Sequence, residues 1–445
     1  MSALITAESA RSRSGLEASP RSVPVPGASA FLNALRRFLS FAGPGYLIAV
    51  GYMDPGNWAT DLVAGSRYGG ALLGVVLGAN LIAMLFQAAA VRLGLAEGID
   101  LAQACRRHFH PAVNAVLWIA CEIAIAACNL AEVLGMGIGL NLLFGMPMWL
   151  GVIVTVADVF LILGLQRRGF RRVEAVVVAL VTLVGACFVA QLMWSHPSVP
   201  RLVADARPRL AWLHDADLIY LAAGIVGATI MPHNLYLHSA LVQTRRSGKS
   251  VRESWQAIRS ATLDSNVALA LAAFVNAAIL IVAATTFNRP GLAPVTELSD
   301  AYRLISPLLG IGIASTVFGV ALLASGLSAS VTGTLAGQVV LEGFVRIRLP
   351  PAQRALLTRG ISIVPAIAAT AWYGADGASR LLVLSQVVLS VQLPFALVPL
   401  LLFTTSRRYL GAFAFGRATS ALLWLAAAGV IALNVWLLAH LCLSS

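Results

Sequence analysis

The sequence has little charge. Only 11% of its 445 residues are charged, whereas 59% are hydrophobic and the mean hydropathy is +0.83. A soluble protein of this length would expose far more charge, so most of the chain must face lipid or other apolar helices. Acidic residues are fewer than basic residues, 19 against 31, which gives a net charge of +12. In a soluble protein that excess would suggest a nucleic-acid partner. Here the hydropathy favours a membrane, and no nucleic-acid partner is predicted.

Several chemical signatures are also absent from the sequence. Five cysteines are scattered without CxxC spacing, which is typical of small buried residues rather than of a disulfide or a metal cage. There is no HExxH motif of a zinc protease and no GxxxxGK[ST] motif of a nucleotide-binding loop. We therefore expect neither an enzyme nor a bound cofactor, and no direct use of ATP by this chain.

Apolar runs of about 20 residues, the length needed to cross a bilayer, recur along nearly the whole chain. The first 38 residues lack such a run and are rich in Ser, Arg, Ala and Pro, so we expect residues 1–38 to form a disordered cytoplasmic tail before a transmembrane domain at 39–445. The eleven predicted spans are 43–65, 70–95, 112–144, 148–166, 173–195, 216–243, 261–286, 307–345, 356–373, 379–404 and 418–443.

The basic residues are concentrated in every second segment between these spans. If the N-terminus is cytoplasmic, 24 of the 31 basic residues fall on the cytoplasmic side. Because cytoplasmic loops carry an excess of Lys and Arg, this bias predicts a cytoplasmic N-terminus and a C-terminus outside.

Two of the spans are interrupted by proline near their middle. The first span contains the sequence DPGN at Asp54–Asn57, and the sixth contains MPHN at Met231–Asn234. Proline lacks an N–H and clashes with the preceding turn, so it frees carbonyl oxygens four residues upstream, here those of Gly51 and Ala228. Either interruption alone could be a simple proline kink, which transmembrane helices tolerate.

Matching interruptions in the first and sixth spans indicate two related halves. The pattern predicts two five-helix repeats of opposite topology, at about 43–195 and 216–404, with an added helix at about 418–443. Interrupted helices in corresponding positions of inverted repeats are the best sequence indication of a transporter site at the repeat interface.

The side chains at the two interruptions suggest the cargo. Asp54 is costly at bilayer depth and must face a cavity, a cation or a proton, and Asn57 can point the same way. Met231 offers a thioether, which does not suit Na⁺, Mg²⁺ or Ca²⁺ but attracts softer ions such as Mn²⁺, Fe²⁺, Co²⁺ or Cd²⁺. A mixed set of oxygen and sulfur donors therefore favours a transition metal.

Four motifs make the sequence recognisable: DPGN at 54–57, MPHNLYLHS at 231–239, ASGLSASVTGTLAGQ at 324–338 and LSQVVLSVQLPFA at 384–396. With them the chain resembles the Nramp family of proton-coupled divalent-metal transporters, and within it the bacterial manganese-uptake branch, from Ala42 to about Ala439. The resemblance implies an all-α, LeuT-like membrane fold with helices 1 and 6 broken at mid-membrane. It also implies a multi-pass protein of the bacterial cell membrane that works as a monomer.

The resemblance further implies a role for particular residues. The expected metal ligands are the side chains of Asp54, Asn57 and Met231, the carbonyl of Ala228, Gln386 in an occluded state and, more weakly, the carbonyl of Gly51. The expected proton pathway contains Asp54, His233, Glu132, Glu122, Arg245 and Arg359.

One position departs from the family pattern. Asn129 stands where relatives usually have an aspartate, and an amide cannot take up and release a proton. We therefore expect metal uptake with loosened proton coupling, unless Glu132 takes over this step.

Two other classes of protein compete with this interpretation. An organic-substrate symporter on the same fold, such as an amino-acid carrier, typically has uncharged, glycine-rich unwound segments, and Asp54 would repel a substrate carboxylate. A passive channel would need rings of repeated side chains, which this single asymmetric site does not offer.

Overall fold

The computed structural model describes residues 43–167, 170–207, 212, 214–246, 250–347 and 349–444. The predicted tail at 1–38 and the predicted loop position Lys249 lie outside these residues. The first half of the described chain contains helices α1 (Pro44–Gly51), α2 (Pro55–Tyr68), α3 (Leu73–Glu97), α4 (Leu101–His108), α5 (Pro111–Phe144), α6 (Met148–Val154), α7 (Ala157–Arg167), α8 (Phe170–Ser195) and α9 (Val199–Asp205).

The second half repeats this pattern of long apolar helices. It contains α10 (Ala216–Ile230), α11 (Pro232–Leu241), α12 (Val251–Thr286), α13 (Leu298–Leu309), α14 (Ala314–Val345), α15 (Pro351–Thr405), α16 (Arg407–Leu410) and α17 (Arg417–Ser444), with 3₁₀ turns at Val242–Arg245 and Gly411–Phe413. Within the described residues, eight helices are long and apolar enough to cross a membrane by length and composition.

Both predicted interruptions are present. The three residues Tyr52 to Asp54 separate α1 from α2, and the Asp54 side chain caps the N-terminus of α2. Met231 alone separates α10 from α11 and has a φ of 44°, an uncommon value for a residue other than glycine. The fold therefore concentrates its irregular backbone where the prolines predicted it.

Two predicted spans have different boundaries in the structure. The span at 148–166 is not one helix, because α6 ends at Val154 and α7 begins at Ala157. Thr155 lies at this break and its hydroxyl donates to the carbonyl of Val152 at 2.7 Å, an arrangement that tends to bend helices. The span predicted to start at 307 is also wrong at its start. Gly310 ends α13 with a φ of 70°, and the following helix begins at Ala314.

The ninth and tenth predicted spans are parts of one continuous helix, α15. A straight 55-residue helix would be about 80 Å long, far beyond the thickness of a bilayer. Its contacts show a change of direction instead. Arg354 pairs with Glu122 in the first half of α5, and Phe403 packs against Phe109 just before α5. The residues between the two predicted spans are thus helical and do not form the expected loop. Both ends of α15 lie near the N-terminal part of α5.

The broken helices lie in the centre of the bundle. Helix α2 packs against α10, α12 and α15, and α5 packs against α14 and α15. Trp58 of α2 is fully buried and makes edge-to-face contacts with Phe188 of α8 and Phe318 of α14, at centroid distances of 4.6 and 5.5 Å. This packing holds the start of α2 at a fixed place among helices of both halves.

Candidate metal site

The two helix breaks face each other through a short chain of hydrogen bonds. Asp54 Oδ1 accepts from the backbone N–H of Asn57 at 2.9 Å and from Asn57 Nδ2 at 2.7 Å. The same Nδ2 also donates to the carbonyl oxygen of Ala228 at 3.1 Å. Pro232 has no N–H to offer this carbonyl, so the oxygen that the proline frees is the one that Asn57 reaches. Asp54, Asn57 and Ala228, predicted from separate halves of the sequence, therefore lie together.

Met231 and Gly51 lie on the other side of the same breaks. Met231 is completely buried, and its sulfur accepts from Asn234 Nδ2 at 3.4 Å. A Cβ added at Gly51 would lie 3.2 Å from that sulfur and 2.3 Å from Asn234 Nδ2. The absence of a side chain at Gly51 thus lets the thioether approach the end of α1.

Gln386 reaches the site from α15. Its Nε2 donates to Ser385 Oγ at 2.9 Å, and its buried Oε1 has no hydrogen-bond partner among the residues that the structure describes. A Cβ at Gly56 would lie 1.8 Å from Gln386 Nε2, and a Cβ at Gly227 would lie 2.2 Å from the Gln386 carbonyl oxygen. Two glycines, one beside each break, therefore make room for Gln386.

Two further carbonyls of the first break accept hydrogen bonds from side chains that were not among the predicted site residues. Asn276 Nδ2 of α12 donates to the carbonyl of Tyr52 at 2.8 Å, and Trp58 Nε1 donates to that of Met53 at 3.1 Å. Ser325 Oγ of α14 also donates to the Met53 carbonyl. Ser325 lies in the motif at 324–338 that contributes to the family resemblance, whereas the only sequence signal for Asn276 was a polar residue within an apolar helix.

The donor set is buried and mixed in chemistry. Asp54 is fully buried and its Oδ2 has no hydrogen-bond partner in the part of the chain that the structure describes, so this oxygen could contact a cation. Among the residues that the structure describes, no three His, Cys, Asp or Glu side chains form a metal-binding group. A cation here would be bound by a carboxylate, an amide, carbonyls and a thioether, a set that suits a first-row transition ion better than Mg²⁺ or Ca²⁺.

The residues predicted for a proton pathway fall into separate groups. Glu132 Oε2 accepts from Arg359 Nη1 at 3.2 Å, and Arg359 Nη2 pairs with Asp158 at 2.5 Å. Asp158, which is not among the residues predicted for the pathway, belongs to this group. Asn129 Nδ2 donates to the Ile125 carbonyl of its own helix at 2.9 Å.

Two predicted pathway residues form ion pairs with other residues, and a third, His233, has a ring nitrogen without a partner among the described residues. Glu122 pairs with Arg354 at 2.9 Å, not with Arg359. Arg245 pairs with Asp264 at 3.5 Å, beside the start of α1. His233 is buried in the first turn of α11, and its Nδ1 has no hydrogen-bond partner among the described residues.

His238, which is not among the predicted site residues, belongs to a buried chain of hydrogen bonds. Its Nδ1 lies 2.8 Å from Gln87 Oε1, and Gln87 Nε2 donates to the hydroxyl of Tyr52 at 2.8 Å. This chain connects α11 to the break between α1 and α2.

Two broken helices that pair their unwound segments in the centre of a helical bundle define a class, the membrane transporters of LeuT-like fold. The protein MhsT, solved in complex with L-phenylalanine, shares this fold at a TM-score of 0.57 and 18% identity, covering 88% of this chain and 96% of MhsT. At that identity the likeness shows the fold alone.

Closer comparisons show the family. Residues 45–440 match the Nramp family model, described as natural resistance-associated macrophage protein-like. The divalent metal cation transporter MntH of Nostoc sp. is 51% identical over 418 residues, 94% of each chain, and that of Bradyrhizobium diazoefficiens is 53% identical over 404 residues, 91% of this chain and 90% of the relative. The manganese transporter of Eremococcus coleocola, solved with an aromatic bis-isothiourea compound, superposes with a TM-score of 0.82 at 37% identity, covering 94% of this chain and 90% of that one. The chain belongs to the Nramp family.

Proposed function

We propose that this protein is a secondary active importer of divalent transition metals, with Mn²⁺ preferred and Fe²⁺, Co²⁺ and Cd²⁺ as further candidates, and that it works by alternating access. The observation that carries the proposal is the buried contact between the two helix breaks, where Asp54, Asn57 and the Ala228 carbonyl lie together beside Met231. The relatives named as divalent metal cation and manganese transporters support the same cargo.

Each donor has a defined task in this proposal. The negative charge of Asp54 would offset the hydration energy that a divalent cation loses in the site. Its Oδ2 is the atom that would contact the cation. Asn57 would turn its amide oxygen toward the ion once the ion competes for Asp54. Met231 discriminates against Ca²⁺ and Mg²⁺, which prefer oxygen ligands only. Gln386, from a third helix, would complete the coordination when the site closes.

We also propose that import is linked to protons and that Asn129 loosens this linkage. Asn129 is a primary amide bonded to its own helix, and it cannot accept a proton passed from Asp54. Glu132, one turn further along α5, is the nearest candidate to take part instead. A small proton flux that depends only weakly on the metal is the expected behaviour.

The main alternative is an organic-substrate symporter of the same fold. A carrier of amino acids would aim helix N-termini at a substrate carboxylate. Here the Asp54 carboxylate occupies the N-terminus of α2, so it would repel such a substrate. The buried Oδ2 of Asp54, which has no hydrogen-bond partner within the described ranges, therefore favours a cation as cargo.

The proposal also includes the setting in which the protein works. We place it in the bacterial cell membrane as a multi-pass monomer, with a cytoplasmic N-terminus and an external C-terminus. Large apolar side chains exposed on the outside of the bundle, such as Leu81, Phe160 and Leu425, suit contact with lipid.

A metal-competition uptake assay in proteoliposomes with an internal pH reporter tests cargo and coupling together. We expect saturable Mn²⁺ uptake that Cd²⁺, Fe²⁺ and Co²⁺ inhibit and that Ca²⁺ and Mg²⁺ do not. Asp54→Asn should abolish uptake while the protein still inserts, since the proposed donor set loses its only formal negative charge. Asp217→Asn is the control, because it removes an exposed ion pair with Arg67 far from the site. Near-normal Mn²⁺ uptake by Asp54→Asn would contradict the proposed site.

A further inference from the structure

Three buried charged side chains from three different helices meet inside the bundle. Arg359 of α15 contacts Glu132 of α5 through Nη1 and Asp158 of α7 through Nη2, at 3.2 and 2.5 Å. The side chains of Arg359, Glu132 and Asp158 are 2%, 0% and 4% exposed. None of the three touches the proposed metal ligands through a hydrogen bond in the described residues, so the metal site does not account for this group.

The charges of this group do not balance when all three side chains are ionised. A guanidinium stays protonated at any working pH, so Arg359 contributes one positive charge. Two ionised carboxylates would then leave one uncompensated negative charge in a site almost without water. Such a charge is strongly unfavourable in a protein interior, and two carboxylates that share a site do not both ionise readily. The group is neutral when it holds one proton.

The contacts differ between the two carboxylates and indicate where this proton resides. Asp158 Oδ2 accepts from both Arg359 Nη2 and Ser330 Oγ at 2.5 Å. Asp158 also lies in the first turn of α7, where the helix dipole favours a negative charge. Glu132 receives one longer bond from Arg359 and a weak one from the Cys128 thiol at 3.6 Å. Asp158 is therefore held as the anion, and Glu132 is the better proton carrier.

The other ionisable groups near Glu132 reinforce this distribution. Besides Arg359 and Asp158, the carboxylate that acts on Glu132 is Asp54 at the metal site, and its negative charge opposes a second negative charge on Glu132. The Cys128 thiol is the remaining titratable neighbour, and it bonds to Glu132 Oε1. No described basic side chain other than Arg359 forms an ion pair with either carboxylate.

We propose that Asp158 is the fixed counterion of Arg359 and that it thereby frees Glu132 to take up and release one proton. Without Asp158, Glu132 would be the sole counterion of Arg359 and would have to remain ionised. This positioning role rests on the proposed proton-linked transport and deepens it.

Infrared spectroscopy of the purified, reconstituted protein tests the assignment without metal or transport. Protonated carboxyl groups have a C=O stretching band that disappears when they ionise, and the difference between the wild type and Glu132→Gln isolates the band of Glu132. We expect the Glu132 band in the wild type. We expect it to be absent from Asp158→Asn, as it is from Glu132→Gln. Each of these variants leaves one carboxylate on Arg359, so both retain a neutral buried pair and should fold.

Two further variants complete the experiment. Asp158→Glu keeps the counterion and should restore the Glu132 band, whereas Asp217→Asn, which removes an exposed ion pair, should leave it unchanged. A Glu132 band that persists in Asp158→Asn would overturn the proposal, as would a titrating band that belongs to Asp158 instead. In proteoliposomes, Asp158→Asn should lose the small metal-dependent part of the proton flux and retain metal uptake. Failure of the wild type to transport metal would refute the proposed function, while the infrared result would still decide the role of Asp158.

Discussion

Met231 combines a soft donor with an unusual backbone conformation. Its φ of 44° is uncommon for a residue with a side chain, and such conformations persist only where the surrounding structure fixes them. Complete burial and the hydrogen bond from Asn234 provide that constraint. The sulfur is thus positioned before any ion arrives, which makes it suitable for discriminating between ions.

Met231→Ala should therefore change selectivity more than it changes folding. We expect it to weaken Cd²⁺ transport most and Mn²⁺ transport less, while Ca²⁺ and Mg²⁺ begin to compete, because the thioether is the only soft donor in the set. Apparent affinity for Cd²⁺ should fall by at least about tenfold, the lower end of what the loss of a supporting contact costs a metal site. Competition uptake in proteoliposomes measures both effects. Unchanged Cd²⁺ transport together with continued exclusion of Ca²⁺ would show that Met231 is not a ligand.

Asn129 can be replaced by the aspartate that the family pattern has at this position, and the variant then tests how Asn129 affects proton coupling. Asn129→Asp introduces a second titratable group on α5, one turn before Glu132, so we expect a larger metal-dependent proton flux with little change in metal affinity. The internal pH reporter and the Mn²⁺ concentration dependence measure the two quantities in the same vesicles.

Contrary results would be equally informative about Glu132. Tight, metal-dependent proton influx in the wild type that Asn129→Asp does not alter and Glu132→Gln abolishes would refute loose coupling. The wild-type transporter would then use Glu132 alone for this step.

The central residues of the site could be predicted because their signal is local. Pro55 and Pro232 mark the breaks, and proline chemistry indicates which carbonyls are freed. Asn276 and Ser325 could not be predicted, because they contact Tyr52 and Met53 from more than 200 residues away. Only the packing of α12 and α14 against α1 selects these two polar residues among the others in the chain.

At the scale of helices, the contact between α10 and α15 determines how Gln386 reaches the site. A Cβ at Gly227 would lie 2.2 Å from the Gln386 carbonyl oxygen and 2.5 Å from the Ser390 backbone nitrogen. Both atoms belong to backbone and cannot rotate away. The two helices therefore touch through main chain at this point, immediately before Ala228.

Gly227→Ala should separate α10 from α15 and weaken both stability and transport. Overpacking of this kind typically costs about 1–3 kcal/mol, and a lower midpoint of thermal unfolding in detergent would report it. Gly185→Ala is the matched control, since a Cβ there meets nothing within 4 Å, and alanine favours a helix by up to about 1 kcal/mol. Equal stability of the two variants would contradict the proposed close contact.

The element boundaries that were predicted wrongly have a common physical origin. The break between α6 and α7 depends on a hydroxyl that bonds back to its own helix, and the continuous α15 replaces a predicted loop between two apolar runs. Hydropathy reports how apolar a segment is, but it does not report whether the backbone bends or continues. The consequence is functional, because the break before α7 places Asp158 in the first turn of that helix.

At the scale of the whole molecule, the distribution of basic residues makes the strongest prediction that the fold alone does not test. A cytoplasmic N-terminus and eleven crossings would place the C-terminus outside, and in the proposed function the broken helices would present the site to both sides in turn. The predicted orientation therefore bears on the proposed direction of transport, which is import. If it were reversed, the same alternating geometry would face the opposite compartments.

Reporter fusions test this orientation directly. A reporter fused after Ser445 should be active outside the cytoplasm, and one inserted near Lys249 should be active within it, because 24 of the 31 basic residues lie in segments assigned to the cytoplasm. These two positions follow an odd and an even number of predicted crossings, so an error of one helix before Lys249 reverses both results. An error between them reverses only the result at Ser445. A cytoplasmic signal at Ser445 with the expected signal near Lys249 would therefore place the miscount in the second half, where α15 joins two predicted spans in one continuous helix.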